Sequence, residues 1–162
     1  SELAMAGVAL SGSYVNLGAN DGLGDDPLAH FAQSDLVKES GQAVAVEADE
    51  TLCASHRSNL PWVRLQCTAV SPASLRAVLA PIPRSLDVLK VDVDSYDGPL
   101  VDECILRLGL RPKLLQVEVN AGIPPPLQYS LLDSPQLQQW HPKVEVEAED
   151  LFGEARLEIN AP

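Results

Sequence analysis

Hydrophobic residues along the chain follow two alternating periodicities, and Gly, Pro or Asp separates most neighbouring segments. Short apolar runs typical of buried strands lie at residues 14–17, 43–48, 62–70, 86–93 and 113–120. Segments with helical spacing lie between them, at residues 26–41, 49–60, 71–79 and 100–109. This order predicts an α/β, Rossmann-like fold with a doubly wound, mainly parallel sheet covered by helices on both faces.

Capping residues mark the ends of the predicted helices. Asp26 is the predicted N-cap of the first helix, with Pro27 at its first helical position. Asp49 and Ser71 have the same capping role in the next two helices, and Gly41 ends the first. The carboxyl ends of the strands are therefore followed by short polar loops, where ligands collect in folds of this class.

The loop after the first strand, "SYVNLGANDGLGDDP", has the composition of a ligand-binding turn. Gly18, Gly22 and Gly24 allow close approach of the backbone, and Asn20 and Asp21 tolerate turn geometry while offering polar contacts. A structural turn would have a similar composition, so the glycine spacing alone is a weak signal.

A carboxylate on the neighbouring strand strengthens the ligand-binding interpretation. Glu47 ends the second strand, where an acid can accept hydrogen bonds from the ribose hydroxyls of an adenosyl group. By itself, Glu47 is also consistent with a solvated acid at a strand end.

Charged residues are concentrated in "LKVDVDSYDG" on the fourth strand. Lys90, Asp92 and Asp94 alternate on one face, and Glu118 lies on the polar face of the fifth strand. A structural alternative is an ion pair between Lys90 and Glu118. A second alternative is a divalent ion held by Asp92, Asp94 and Asp97, but three acids at one strand end do not make a dedicated cage, and we predict no metal site.

Composition narrows the range of partners. The formal net charge of -12 disfavours binding to nucleic acid, and no apolar run is long enough to cross a bilayer, so we expect a soluble domain without a membrane-spanning segment. The chain begins with Ser1, which is consistent with a processed product, an organellar one included, or with a partial product, and the sequence assigns no compartment.

The cysteines and histidines show no ligand-like spacing. The apolar neighbours of the cysteines predict buried thiols rather than a disulfide framework or a zinc site, and the histidines are predicted to be exposed or partly buried rather than catalytic. These residues are Cys53, Cys67, Cys104, His30, His56 and His141.

Taken in order, "VNLGANDG", "DP", the strand ending in Glu47, "TAVS", "VLKVDVDSYDG" and "LLQVEVN" resemble the FkbM-type methyltransferases. The resemblance implies a class I methyltransferase fold, S-adenosylmethionine as cofactor, and methyl transfer to an oxygen of a small-molecule or sugar acceptor. It also implies a role for each matching residue: Gly18, Asn20 and Asp21 at the methionine part of the cofactor, Glu47 at the ribose, Thr68 and Ala69 beside the adenine, Asp92 and Asp94 beside the methyl group.

Within this resemblance, Asp94 is the first candidate for the base that accepts the hydroxyl proton, and Asp92 the second. The resemblance covers residues 13–127 of a single predicted domain spanning 1–162, and residues 128–162 form an abbreviated, acidic C-terminal segment. Ser95 stands where the family usually has Gly. These two departures support an alternative, a catalytically inactive methyltransferase-fold protein that serves as a structural subunit among protein partners in a larger assembly.

Overall fold

Five strands form one all-parallel sheet in the order β3-β2-β1-β4-β5 in the computed structural model, which describes residues 7–24, 26–80, 82–94 and 97–118. The strands are Tyr14–Leu17 (β1), Ala43–Glu47 (β2), Arg64–Cys67 (β3), Ser85–Val91 (β4) and Arg111–Val117 (β5). The chain runs outward from β1 to β3 and then returns to place β4 on the other side of β1. The predicted α/β Rossmann-like fold is confirmed, with its reversal of strand order between β1 and β4.

Helices cover the sheet on both faces. They are Ala29–Ala32 (α1), Asp35–Ser40 (α2), Glu50–Asn59 (α3), Pro72–Leu79 (α4) and Asp97–Asp102 (α5), and α5 continues into a π-helical turn, Glu103–Arg107. Alternate residues of β1 point to opposite faces, so Tyr14 packs with residues of α1 and α2, while Val15 and Leu17 pack with residues of α4 and α5. The central strands β1, β2 and β4 thus lie between two apolar cores, as expected for a doubly wound fold.

Three predicted helix boundaries are confirmed, two by hydrogen bonds and one by its backbone conformation. The Asp49 carboxylate accepts hydrogen bonds from the first backbone N–H groups of α3. Ser71 forms a reciprocal capping box with Ser74 at the start of α4. Gly41 ends α2 with φ of 61°, a conformation that glycine adopts without a steric penalty.

The first predicted helix differs from the expectation in two respects. It is divided into α1 and α2, because a second helix begins at Asp35. The side chain of its N-cap, Ser34, accepts a hydrogen bond from the Val37 N–H. Asp26 is not the N-cap of α1, a position that Leu28 occupies without a side-chain cap. Asp26 is buried instead, and its carboxylate accepts hydrogen bonds from the Asn16 side chain at 2.6 Å and from the Leu28 N–H at 2.7 Å. The hydrogen bond with Asn16 on β1 therefore holds this carboxylate in the interior.

Two of the predictions lie outside the described residues: the acidic C-terminal segment 128–162 and the altered loop position Ser95. His141 lies outside them as well. Among the helices of the described residues, none combines the length and the apolar character that a bilayer-crossing helix needs.

Candidate functional site

The loop after β1 is fixed to the strands on either side of it. The N–H groups of Gly18 and Ala19 both donate to the Val46 carbonyl on β2, each at 3.0 Å. Gly18 has φ of 76°, and a Cβ at this position would overlap the backbone carbonyl of Asp92 after β4. Only glycine allows this contact, so Gly18 brings the loop against the carboxyl end of β4.

Glu47 faces the same loop from the end of β2. Its Oε2 accepts a hydrogen bond from the Asn20 N–H at 2.8 Å, and its Oε1 accepts hydrogen bonds from the N–H groups of Ala48 and Asp49 at 2.8 and 2.9 Å. Asn20 has φ of 51°, an uncommon conformation for a residue with a side chain. Three backbone donors orient a carboxylate with about four acceptor sites, so Oε2 keeps capacity for a further donor such as a hydroxyl group.

Asp21 shapes the loop from within. Its Oδ1 accepts hydrogen bonds from the Leu23 N–H at 2.9 Å and the Gly24 N–H at 2.6 Å, and these two donors lower the pKa of the carboxyl group. The Asp21 carbonyl also accepts a hydrogen bond from the Asn59 side chain on α3 at 2.9 Å. Asp21 is therefore an ionised turn residue, and one of its carboxylate oxygens is occupied by the loop itself.

His56 on α3 is only 1 % exposed, so the prediction of an exposed or partly buried side chain is wrong for this histidine. His30 is exposed, as predicted. Burial lowers the pKa of His56, which favours its neutral form. Gly22 lies against it, because a Cβ there would come within 2.9 Å of the imidazole. The sequence gives no sign of this burial, because the packing of the glycine loop on α3 causes it.

Thr68 and Ala69 follow β3 on the outer side of Glu47. The Thr68 N–H donates to the Glu47 carbonyl at 2.8 Å, and both residues are exposed. This contact places the start of the predicted adenine-side segment beside the end of β2, the strand that ends in Glu47.

A disulfide bond joins Cys53 on α3 to Cys67 at the end of β3, so the prediction of unpaired buried thiols is wrong for these two residues. It is confirmed for Cys104, a buried free thiol whose pKa burial raises to about 12. Cys67 is the register partner of Glu47 in the sheet. The spacing of 14 residues gives no disulfide signal, because the two cysteines meet only when α3 packs back against β3.

Lys90 lies buried beneath the loop, on the face of β4 that also carries Val88. Its Nζ donates to the Gly18 carbonyl at 2.9 Å and forms an ion pair with Asp92 Oδ2 at 2.9 Å. Asp26 Oδ2 lies 4.0 Å away. Within the described residues, Lys90 pairs with these two aspartates rather than with Glu118, so the structural alternative of a Lys90–Glu118 ion pair is wrong.

Carboxylates after β4 and β5 form a second cluster, in which single oxygens of Asp92, Asp94 and Glu118 all lie within 4.8 Å of one another. Partial desolvation and the adjacent Asp92 carboxylate raise the pKa of Glu118, although its side chain remains largely exposed. Asp94 is exposed and has φ of 57°, an uncommon conformation for a residue with a side chain. Asp97, which was grouped with the two aspartates at the sequence level, accepts a hydrogen bond from the Val93 N–H at 2.8 Å instead.

The structure thus brings the predicted residues to one edge of the sheet in two groups: Asn20, Glu47, Thr68 and Ala69 around β2; Gly18, Asp92 and Asp94 at the end of β4. The sequence showed Lys90 and Glu118 as charged strand residues, but it did not predict the contact of Lys90 with Gly18 or the cluster of Glu118 with Asp92 and Asp94. The sequence matches no known protein-family model and no curated protein.

Proposed function

We propose that this chain binds S-adenosylmethionine at the carboxyl edge of its sheet and transfers the methyl group to a hydroxylated acceptor. The observation that carries the proposal is the hydrogen bond from the Asn20 N–H to Glu47 Oε2, at 2.8 Å. It places an oriented carboxylate and the glycine loop at one point beside the reversal of strand order, where nucleoside ligands bind in doubly wound sheets.

The residues around Glu47 fit the parts of this cofactor. Oε2 can accept a hydrogen bond from one ribose hydroxyl, because only one backbone donor occupies it. Thr68 and Ala69 are exposed and follow β3 beside the end of β2, on the side assigned to adenine. Asn20 has an exposed side chain on the other side of Glu47, towards β4. These placements agree in order with the roles that the family resemblance implies.

Carboxylates at the end of β4 suit the transfer step. S-adenosylmethionine, when bound, supplies a methyl group that its positively charged sulfur already activates, so the protein's main task is to align an acceptor oxygen. Asp94 is exposed and can take the proton of a hydroxyl group. Asp92 forms an ion pair with Lys90 through Oδ2, so we give it the second role, of orienting the acceptor.

Calorimetric titration of S-adenosylmethionine into the wild-type chain and into Glu47→Ala tests the proposal. We expect saturable binding at one site and a loss of affinity of about ten- to a hundredfold in the variant, the range for a hydrogen bond to a charged group. Glu50→Ala is the matched control, because Glu50 is an exposed acid in the first turn of α3 and should leave affinity unchanged.

The absence of binding by well-folded wild-type protein would contradict the proposal. That result would favour the alternative of a methyltransferase-fold protein without cofactor, serving as a structural subunit.

A further inference from the structure

Lys90 is a charged residue that lies almost entirely out of contact with water. It is 2 % exposed, and its ammonium group lies among three oxygens: the Gly18 carbonyl, Asp92 Oδ2 and Asp26 Oδ2. An isolated ammonium group at such a position would be strongly destabilising, so these oxygens are required to keep it there.

Two of these oxygens belong to separate parts of the candidate site. The Gly18 carbonyl lies at the start of the glycine loop, and the Asp92 carboxylate lies 36 % exposed at the end of β4. Lys90 Nζ reaches each of them at 2.9 Å, so one side chain bridges the loop and the carboxylate.

A second lysine–aspartate pair next to β4 does not connect two parts of the candidate site. Lys113 Nζ bonds Asp87 Oδ1 and the Ala9 carbonyl, both at 2.6 Å, near the starts of β4 and β5. Those contacts stabilise the opposite end of the sheet and include no atom of the candidate site.

We propose that Lys90 is a positioning residue, which holds the glycine loop and the Asp92 carboxylate in the relative placement that binding of an adenosyl ligand needs. This inference rests on the proposed function for the identity of the ligand. The side chain acts from beneath the site and makes no contact with the ligand itself.

A pair of variants in one background separates positioning from stability. Lys90→Met alone would leave Asp26 as a buried carboxylate without its nearby cation, so the test compares Lys90→Met/Asp26→Asn with Asp26→Asn. The single variant keeps Lys90 and its contacts with Gly18 and Asp92, and it serves as the matched control.

Two readouts are taken on folded protein: the affinity for S-adenosylmethionine and for S-adenosylhomocysteine, and the hydrogen-exchange rates of the Ala19 and Asn20 amides. We expect the double variant to bind both nucleosides at least about tenfold more weakly than Asp26→Asn, and its two loop amides to exchange about tenfold faster. S-adenosylhomocysteine lacks the positive charge on sulfur. Weaker binding of both ligands therefore indicates that Lys90 acts by placing the loop and Asp92, and not through its charge.

Equal affinities and equal loop exchange in the two variants would overturn the inference. Stronger binding of the cationic ligand alone in the double variant would overturn it too, because Lys90 would then act only by repelling positive charge. If wild-type protein binds neither nucleoside, the proposed function fails, and the exchange rates alone decide whether Lys90 positions the loop.

A further variant covers the case in which the double variant does not fold. Asp92→Ala removes the acceptor from the partly exposed end of the contact and leaves Lys90 in place. Faster exchange at Ala19 and Asn20 in Asp92→Ala supports the coupling between β4 and the loop, and unchanged exchange contradicts it.

Discussion

The two ends of the sheet each contain a lysine–aspartate pair with one buried member, which is the acid at the amino end and the lysine at the carboxyl end. At the amino end, the Asp87 side chain is completely buried, and it accepts hydrogen bonds from Lys113 Nζ and from the N–H groups of Ser11 and Gly12, each at 2.6 Å. At the carboxyl end, Lys90 is buried, while its partner Asp92 is 36 % exposed. The partly exposed member of the pair is therefore a lysine at the amino end, where Lys113 is 33 % exposed, and an acid at the carboxyl end.

The two ends of the sheet also differ in backbone conformation. Among the described residues, the two non-glycine positions with positive φ, Asn20 and Asp94, both lie at the carboxyl end. Glu47, at the end of β2, lies at the carboxyl end as well. Its carboxylate accepts hydrogen bonds from three backbone N–H groups and has capacity for a further donor. Uncommon backbone conformation and unfilled acceptors are features that concentrate at binding sites, so this difference between the ends supports the proposal of ligand binding at the carboxyl end.

The largest expected effect on stability comes from breaking the amino-end pair. Asp87→Ala removes the acceptor of four donor groups, Lys113 Nζ, both N–H groups and the Ser11 hydroxyl, and should lower the free energy of unfolding by about 3 kcal/mol or more. Chemical denaturation measures this loss at pH 7. A change below about 1 kcal/mol would contradict the structural role of this end.

The same carboxylate predicts a pH dependence. Burial alone would raise the pKa of Asp87, but the hydrogen bonds from Lys113, Ser11 and Gly12 outweigh it and lower the pKa. A carboxyl group with a lowered folded-state pKa contributes stability above its unfolded pKa of about 3.9 and loses that contribution as the pH falls towards the folded value. The difference between wild type and Asp87→Ala should therefore be largest at neutral pH and shrink below about pH 4.

The disulfide bond gives the next largest effect and lies at the carboxyl end. Replacing Cys53 and Cys67 together by serine should lower stability by about 3 kcal/mol in the chain-entropy estimate, since the bond closes a loop with a sequence separation of 14 residues. Denaturation of wild type with and without a dithiol reductant should show the same loss, and the double variant should not respond to the reductant. Three alkylatable thiols in denatured, unreduced wild type would contradict the disulfide.

The smallest expected effect comes from the exposed carboxylate cluster. Partial desolvation and Asp92 raise the pKa of Glu118, so its ionised form is disfavoured in the folded state, and this penalty is present only above its unfolded pKa of about 4.3. Glu118→Gln should therefore raise stability at pH 7 by about 0.5 kcal/mol or less, because solvent screens an exposed group. The gain should vanish below about pH 4, and a gain that persists there would contradict a charge effect.

Much of the fold follows from local sequence signals. The capping residues Asp49 and Ser71 and the helix-ending Gly41 act through contacts within a few residues, and all three were predicted. The apolar strands predicted a parallel sheet because they are hydrophobic on both faces. Glu47 and the glycine loop were expected to meet because successive parallel strands end at one edge.

The errors concern contacts between distant segments. Asp26 has the sequence signature of an N-cap, but Asn16 on β1 draws it under the loop. Cys53 and Cys67 pair only through the packing of α3 on β3. The sequence offered Glu118 on β5 as an alternative partner for Lys90, but the Lys90 ammonium group bonds a residue two positions along its own chain and the loop carbonyl of Gly18. Such choices depend on side-chain direction in the folded state, which a single sequence does not encode locally.

The central claim, that an adenosyl ligand binds at the carboxyl end of the sheet, is tested most directly by following backbone amide resonances during titration with S-adenosylmethionine. We predict saturable shifts at Asn20 and Ala48, whose N–H groups orient the Glu47 carboxylate, and no change at Ser11 and Gly12, which bond Asp87. Shifts centred on Ser11 and Gly12, or no shifts in folded protein at saturating ligand, would contradict the account.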